Sequence, residues 1–216
     1  MPSKIKAVFF DHDDTLVESR RHKWNQHIHV ARKHYGIDLS DEQLLRENYG
    51  KPFPELVKVL YNTEDVEAAF TNIALYRNEF PKVIYPETKK ILIALHKVGI
   101  LTGVVTATTR DGLNYDHNMF GITSDLVDYT QTAEESDYHK PDPRVFDPAI
   151  AWLKEKNIKP SEVVYVGDAL HDLNAAIGAG FNFIGVETGV VTGEVFLQNG
   201  VKSVPSIAHI IDALNY

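Results

Sequence analysis

Asp11-His12-Asp13-Asp14-Thr15 crowds three carboxylic acids directly behind an apolar run at residues 5–10. Crowded carboxylates repel, so such an arrangement calls for a cation, a shared proton or both. A hard divalent ion such as magnesium fits, because it typically takes one or two carboxylates together with phosphate oxygens and keeps several waters. An acidic turn or helix cap is the competing explanation. Thr106 follows Gly103-Val104-Val105, with Ala107, Thr108 and Thr109 behind it, and its hydroxyl can donate to a phosphate oxygen or simply cap a helix. Lys140 precedes Pro141-Asp142-Pro143, where two prolines stiffen the approach to a helix expected near Arg144. A solvated surface lysine is the alternative there. In Gly167-Asp168-Ala169-Leu170-His171-Asp172 a strand ends on glycine and two acids stand four apart. They share a face if a helix begins there, and carboxylates at a helix N-terminus are also good caps.

The elements that must position these groups follow from hydrophobic spacing. Residues 5–10, 103–105, 163–166 and 181–186 are continuous apolar runs, the pattern of strands buried on both faces of a parallel sheet. Between them, Ile91, Leu92, Leu95 and Val98, and then Val145, Phe146, Ile150 and Leu153, recur at helical spacing. The alternation predicts an α/β fold with a doubly wound parallel sheet, whose ligands bind at the carboxyl ends of the strands. From the first strand to Pro86 no comparable apolar run appears for about seventy residues, and the segment reads as all helix. Trp24, Ile28, Ala31 and Tyr35 share one face, and Val66, Phe70, Ile73 and Phe80 another. Gly36 and Gly50-Lys51-Pro52 are the breaks, and Ser40 or Asp41 is the candidate cap of a helix between them. The expected organisation is a discontinuous α/β core, residues 1–17 and 86–216, with an all-helical insert at 18–85.

Composition removes several function classes. The chain has no cysteine, which excludes disulfides, a thiolate nucleophile and cysteine-ligated metal centres. Its net charge of −8 disfavours extended nucleic-acid binding while leaving room for a small phosphorylated molecule held by local cations. No window has the 18 or more apolar residues of a membrane span, and the N-terminus lacks a secretory pattern, so a cytoplasmic protein is expected. A dinucleotide fingerprint is missing, since Gly178-Ala179-Gly180 follows a predicted helix rather than opening one, and no Walker P-loop is present.

Taken in order, Phe9-Phe10-Asp11-His12-Asp13-Asp14-Thr15-Leu16, Val105-Thr106, Lys140-Pro141-Asp142-Pro143, and Val166-Gly167-Asp168 with Asp172 resemble the four motifs of the haloacid dehalogenase-like superfamily. The position of the insert resembles the C1 helical cap of its phosphoglycolate phosphatase and β-phosphoglucomutase branch. The resemblance implies a Rossmann-like core and a magnesium-dependent phosphatase. Asp11 would be the covalent nucleophile and Asp13 the general acid and base, with Thr106 and Lys140 holding the phosphoryl oxygens. Magnesium would be bound by Asp11, the main-chain carbonyl of Asp13, Asp168 and, directly or through water, Asp172. Asp13 argues against the dehalogenase and phosphonatase branches, which lack an aspartate there. Ala107 would stand beside Thr106 in the substrate-binding set, and Tyr49-Gly50-Lys51-Pro52 resembles a substrate-specificity loop in which Lys51 meets a carboxylate or hydroxyl.

A β-phosphoglucomutase-like mutase is the alternative, although the histidine typical of those mutases is displaced among Arg20, His22 and Lys23. A phosphorylation-dependent signalling protein or a catalytically silent binding protein are alternatives of another class. The expected partner is a small phosphorylated metabolite, with no nucleic acid and no membrane, and the expected state is monomer or weak homodimer. His12 stands where the family usually has an apolar residue and is expected to be a tolerated surface side chain, with a supporting contact behind the site residues as the alternative. His22, His27, His29 and His34 are expected to be solvated.

Overall fold

Ala7–Phe10 (β1) is apolar at every position because it is the inner strand of a parallel sheet, with neighbours on both edges and a packed layer on both faces. The computed structural model describes residues 4–39, 44, 48, 51 and 53–214. Among these, six strands form one sheet in the spatial order Tyr129–Gln131, Leu101–Val105, Ala7–Phe10, Val163–Gly167, Asn182–Val186, Ser203–Val204. Every pairing in it is parallel, with Ala7 opposite Leu101 on one side and Val163 on the other. Helices flank it, and the fold is the Rossmann-like α/β architecture.

Period-two alternation sorts the strand residues into two cores. Val8 and Phe10 join Val104, Val164, Val166, Ile184 and the helix residues Leu92 and Leu95 on one face. Ala7 and Phe9 join Val105, Val163, Tyr165, Phe183, Phe146 and Leu153 on the other. Helix Thr88–Lys97 buries Ile91, Leu92 and Leu95, but Val98, placed on the same stripe by its spacing, is 69% exposed. The helix stops at Lys97 and Gly99 turns the chain with φ of 76°, so Val98 falls past the last turn and leaves the stripe. The edge strands Tyr129–Gln131 and Ser203–Val204 were not expected from the sequence; they are three and two residues long and half exposed, too short for a periodic signal. Two further two-residue strands, Val17–Glu18 and Val83–Ile84, interrupt what reads as an all-helical stretch.

The chain divides into two compact units, residues 1–18 with 84–216, and residues 19–83. In the second, helix Arg20–Val30 continues through a π turn, Ala31–Tyr35, and is stopped by Gly36 in the left-handed conformation. Helices Phe53–Tyr61 and Val66–Leu75 complete the described part, the latter capped by Asp65, whose carboxylate accepts from the Ala68 N–H. Trp24, Val30, Ala31, Val57, Leu60, Tyr61 and Ala69 form its core, with Ile28, Tyr35, Phe70, Ile73 and Phe80 packed around them. The expected cap at Ser40 or Asp41 lies outside the described residues. Among the described residues no helix is long and apolar enough to cross a membrane.

The histidines of this unit depart from the expectation that they are merely solvated. His27 is buried, hydrogen-bonded through Nδ1 to the Tyr61 hydroxyl at 2.6 Å. His29 packs on the rings of Tyr76 and Phe80, and His34 Nε2 lies 3.0 Å from the Tyr76 hydroxyl. The aromatic residues that enclose them are 34 or more positions further along the chain, beyond the reach of a helical-wheel argument.

Two outcomes follow from this packing. Phe9 lies over Gly103 in the paired strand, where an added Cβ would come within 2.6 Å of the ring, and Phe9 is stacked on Tyr129 beyond. Gly103→Ala should therefore overpack this face and lower the free energy of unfolding by about 1–3 kcal/mol, read from urea melts. Burial, helped by nearby Lys23, lowers the His27 pKa to about 4. Between about 4 and the unperturbed 6.5 the unfolded chain binds a proton that the folded chain refuses, so His27 makes stability fall as pH drops through that window. His27→Gln should flatten the pH dependence of the unfolding midpoint there; an unaltered slope would contradict the assignment.

Candidate active site

Parallel strands aim their carboxyl ends at one edge of the sheet, and the chemistry-bearing residues collect there. Asp11 is the first residue after β1, Thr106 the first after Leu101–Val105, and Asp168 the first after Val163–Gly167. Because β1 pairs directly with the strands bearing Thr106 and Asp168, the three ends lie side by side. Asp11 continues the ladder, its N–H donating to the Val166 carbonyl. The chain then folds back tightly, with the N–H groups of Leu16 and Val17 both donating to the His12 carbonyl and Asp14 in the left-handed region at φ of 55°. Aspartate tolerates that conformation better than most residues. The Thr188 hydroxyl pins the turn from outside by donating to the Asp14 carbonyl at 2.5 Å.

Lys140 enters from the segment that precedes the 3-10 turn Pro143–Phe146. Its side chain is 5% exposed, and its three protons have three acceptors: Asp11 Oδ1, Asp172 Oδ1 and the Tyr165 hydroxyl, each at 2.7 Å. Burial alone would push the ammonium down, but Asp11 and Asp172 outweigh it and hold Lys140 well above the ordinary lysine range. Tyr165 in turn donates to the carbonyl of Val105, the residue before Thr106. Asp172 sits in the first turn of helix Leu170–Gly178, and its Oδ2 accepts from the Ala169 N–H. Thr106 is buried; its hydroxyl oxygen accepts from the Thr108 N–H at 3.1 Å, which leaves its own proton for a further acceptor.

Asp11, Asp168 and Asp172 can each place one carboxylate oxygen within 4.8 Å of the others. One lysine does not neutralise three buried acids. Burial raises Asp11 above the usual carboxylate range, with Asp172 and Asp13 adding to the effect against Lys140. Asp168 is pushed well above it by burial and then by Asp172, Asp11 and Asp14. Asp168 Oδ2 has no hydrogen-bond partner among the described residues. An all-oxygen donor set, an orphaned buried oxygen and excess negative charge together fit a hard divalent cation.

Not every candidate joins this cluster. The Asp13 carboxylate lies outside it and accepts from the Thr108 hydroxyl at 2.8 Å. Ala107 is exposed on the loop behind Thr106. Lys51 belongs to the helical unit, where it is exposed with its N–H donating to the Asn48 carbonyl, and Tyr49, Gly50 and Pro52 lie outside the described residues. His12 is corrected outright. It is fully buried, its Nε2 is 3.0 Å from Asp116 Oδ2, and its ring meets His117 edge-on. Asp116, 104 residues later, is what makes a buried imidazole tolerable in a position that reads as surface.

Tyr165, Thr188 and Gly189 carry no functional mark in the sequence, and Thr108 is marked only by its place behind Thr106. Tyr165 reads as one more apolar residue of a strand, and its hydroxyl gains meaning only from the neighbouring strands. Gly189 packs so closely on Asp168 that an added Cβ would lie 1.8 Å from Oδ2. Gly167 bears the same relation to Asp172, at 2.6 Å. Glycine is required at both because nothing larger leaves the carboxylates where they are.

A model of haloacid dehalogenase-like hydrolases matches residues 8–186, from β1 through the strand that precedes Gly189. The chain belongs to this family of hydrolases. A glyceraldehyde 3-phosphate phosphatase of Pyrococcus furiosus is 30% identical over 204 residues, spanning 84% of this chain and 80% of that protein. The pyrophosphatase PpaX of Bacillus velezensis is 26% identical over 186 residues, with 85% and 83% covered. The crystal structure of a predicted phosphoglycolate phosphatase from Haemophilus somnus shares the fold at a TM-score of 0.82 and 22% identity, covering 98% of each chain. Within the family, the Gly189 contact gives the candidate cation site a simple test. Gly189→Ala should displace the Asp168 carboxylate and weaken divalent-cation binding by at least about tenfold, measured calorimetrically; unchanged affinity would remove Asp168 from the site.

Proposed function

We propose that this hydrolase is a magnesium-dependent phosphatase that cleaves small phosphate monoesters through a covalent aspartyl-phosphate on Asp11. The observation that carries the reading is the Lys140 ammonium, held 2.7 Å from both Asp11 and Asp172 in a cluster of three buried carboxylates. This arrangement places positive charge beside a nucleophilic carboxylate, which is where a phosphoryl group needs it.

Magnesium, held by Asp11, Asp168, Asp172 and the main-chain carbonyl of Asp13, would supply charge neutralisation for the phosphoryl oxygens. In the first step an Asp11 oxygen attacks phosphorus, the bond from phosphorus to the substrate oxygen breaks, and Asp13 gives its proton to the departing oxygen. Thr106 donates its free proton to a phosphoryl oxygen, and the Lys140 ammonium, held against Asp11, supplies positive charge beside the phosphoryl group. In the second step Asp13 takes a proton from water, the water oxygen attacks phosphorus, and the bond to Asp11 breaks to release inorganic phosphate. Dividing a very slow hydrolysis into two in-line displacements is the benefit of the covalent route.

The helical unit, residues 19–83, would serve as the cap that selects the substrate, with Lys51 as its candidate contact. The relatives' substrates, glyceraldehyde 3-phosphate and pyrophosphate, favour a compact phosphorylated metabolite.

Incubation with p-nitrophenyl phosphate tests the reading. Turnover should require magnesium, stop on addition of chelator, and fall by at least about 10³-fold in Asp11→Asn. Activity that persists in that variant or in chelator would overturn the covalent, metal-dependent scheme. A panel of sugar phosphates, phosphoglycolate, nucleotides and pyrophosphate would then rank substrates.

A further inference from the structure

Thr108 has no role in the scheme above, yet its hydroxyl is the donor that contacts the carboxylate of Asp13. Three backbone features fix the loop that carries it. The Thr106 N–H donates to the Gln131 carbonyl, the Ala133 N–H donates to the Thr108 carbonyl, and the Thr108 N–H donates to Thr106 Oγ1. The Thr108 methyl is turned toward Gly112, where an added Cβ would be 3.0 Å from it. With the methyl turned that way, the hydroxyl is left to reach Asp13 Oδ2 at 2.8 Å across 95 residues of chain. Asp13 itself is half-buried, with its Oδ1 shielded from solvent and its Oδ2 on the Thr108 hydroxyl.

We infer that Thr108 is a positioning residue for Asp13, holding the acid and base of the phosphatase scheme in one orientation through a hydrogen bond made entirely within the α/β unit. The inference rests on the proposed phosphatase reading. It joins two functions in one three-residue loop, because Thr106 faces the phosphoryl group while Thr108 sets the group that protonates the leaving oxygen and activates water. A base held in place also favours water as the acceptor of the phosphoryl group. Transfer to a second substrate hydroxyl would require the phosphorylated aspartate to survive unhydrolysed, and a fixed base works against that.

The test compares Thr108→Val, which keeps the shape and removes the hydroxyl, with Thr108→Ser, which keeps the hydroxyl and removes the methyl. With p-nitrophenyl phosphate the leaving group departs without needing a proton, so the defect in Thr108→Val should fall on hydrolysis of the aspartyl-phosphate. The expected result is a kcat lowered by about tenfold or more, the size expected for loss of one hydrogen bond to a charged group. It should come with a stoichiometric burst of p-nitrophenolate and acid-stable acyl phosphate on the quenched protein. Thr108→Ser should restore most of the turnover and abolish the burst. A Thr108→Val protein with unaltered kcat and no burst, or a Thr108→Ser protein as impaired as Thr108→Val, would overturn the inference and leave the phosphatase reading standing. Lack of magnesium-dependent turnover in the unaltered protein would overturn both.

Discussion

A buried ammonium is stable only where each of its protons finds an acceptor and its charge finds a counter-charge, and Lys140 meets both conditions through Asp11, Asp172 and Tyr165. The rest of the unit is arranged around that requirement. Asp11 ends the inner strand, Tyr165 lies on the adjacent strand in register with Phe9, and Asp172 stands one helical turn beyond that strand. Three elements converge on one nitrogen because the sheet order puts β1 beside Val163–Gly167. A different strand order with the same sequence would leave Lys140 buried without its partners, at a cost of several kcal/mol.

The same cluster is overcharged in the other direction. Lys140 is shared between Asp11 and Asp172, whereas Asp168 retains an oxygen without a partner and a carboxyl pushed toward its neutral form. That imbalance adds nothing to stability and fits a cation held among the three acids. Close packing maintains it, since Gly167 and Gly189 let backbone approach the carboxylates of Asp172 and Asp168 closely enough that no side chain fits between. The strain of the crowded acids is held by a sheet whose inner strand has no exposed residue among Ala7–Phe10.

Hydrogen bonds to main-chain carbonyls tie the loops of the site together. Tyr165 reaches the Val105 carbonyl and Thr188 the Asp14 carbonyl, so the segments carrying Thr106 and Asp13 are each held by a side chain from another strand or loop. Such bonds add little net stability individually, about 1 kcal/mol, but they restrict where a reacting group can sit. Positioning at this level is what phosphoryl transfer needs most, because the chemistry asks for alignment and charge more than for new covalent machinery.

The sequence by itself determined the class of fold and the residues around which the chemistry could gather. Continuous apolar runs at β1 and at Val163–Gly167 identify strands buried on both faces, and a polar residue directly after such a run must lie at the sheet's carboxyl edge. Asp11, Thr106 and Asp168 are visible for that reason. The short strands Tyr129–Gln131 and Ser203–Val204 were not, because two or three half-exposed residues carry no period. Only the tertiary structure decided the parts that depend on which strands are neighbours. Phe9 and Tyr165 look alike as strand aromatics until the register places one over Gly103 and the other beneath Lys140. His12 reads as surface until Asp116 arrives from a distant helix, and Thr108 carries no mark beyond following Thr106 until its hydroxyl is found on Asp13. Local patterns are set by periodicity along the chain. Partnerships across about a hundred residues are set by packing, which periodicity does not encode.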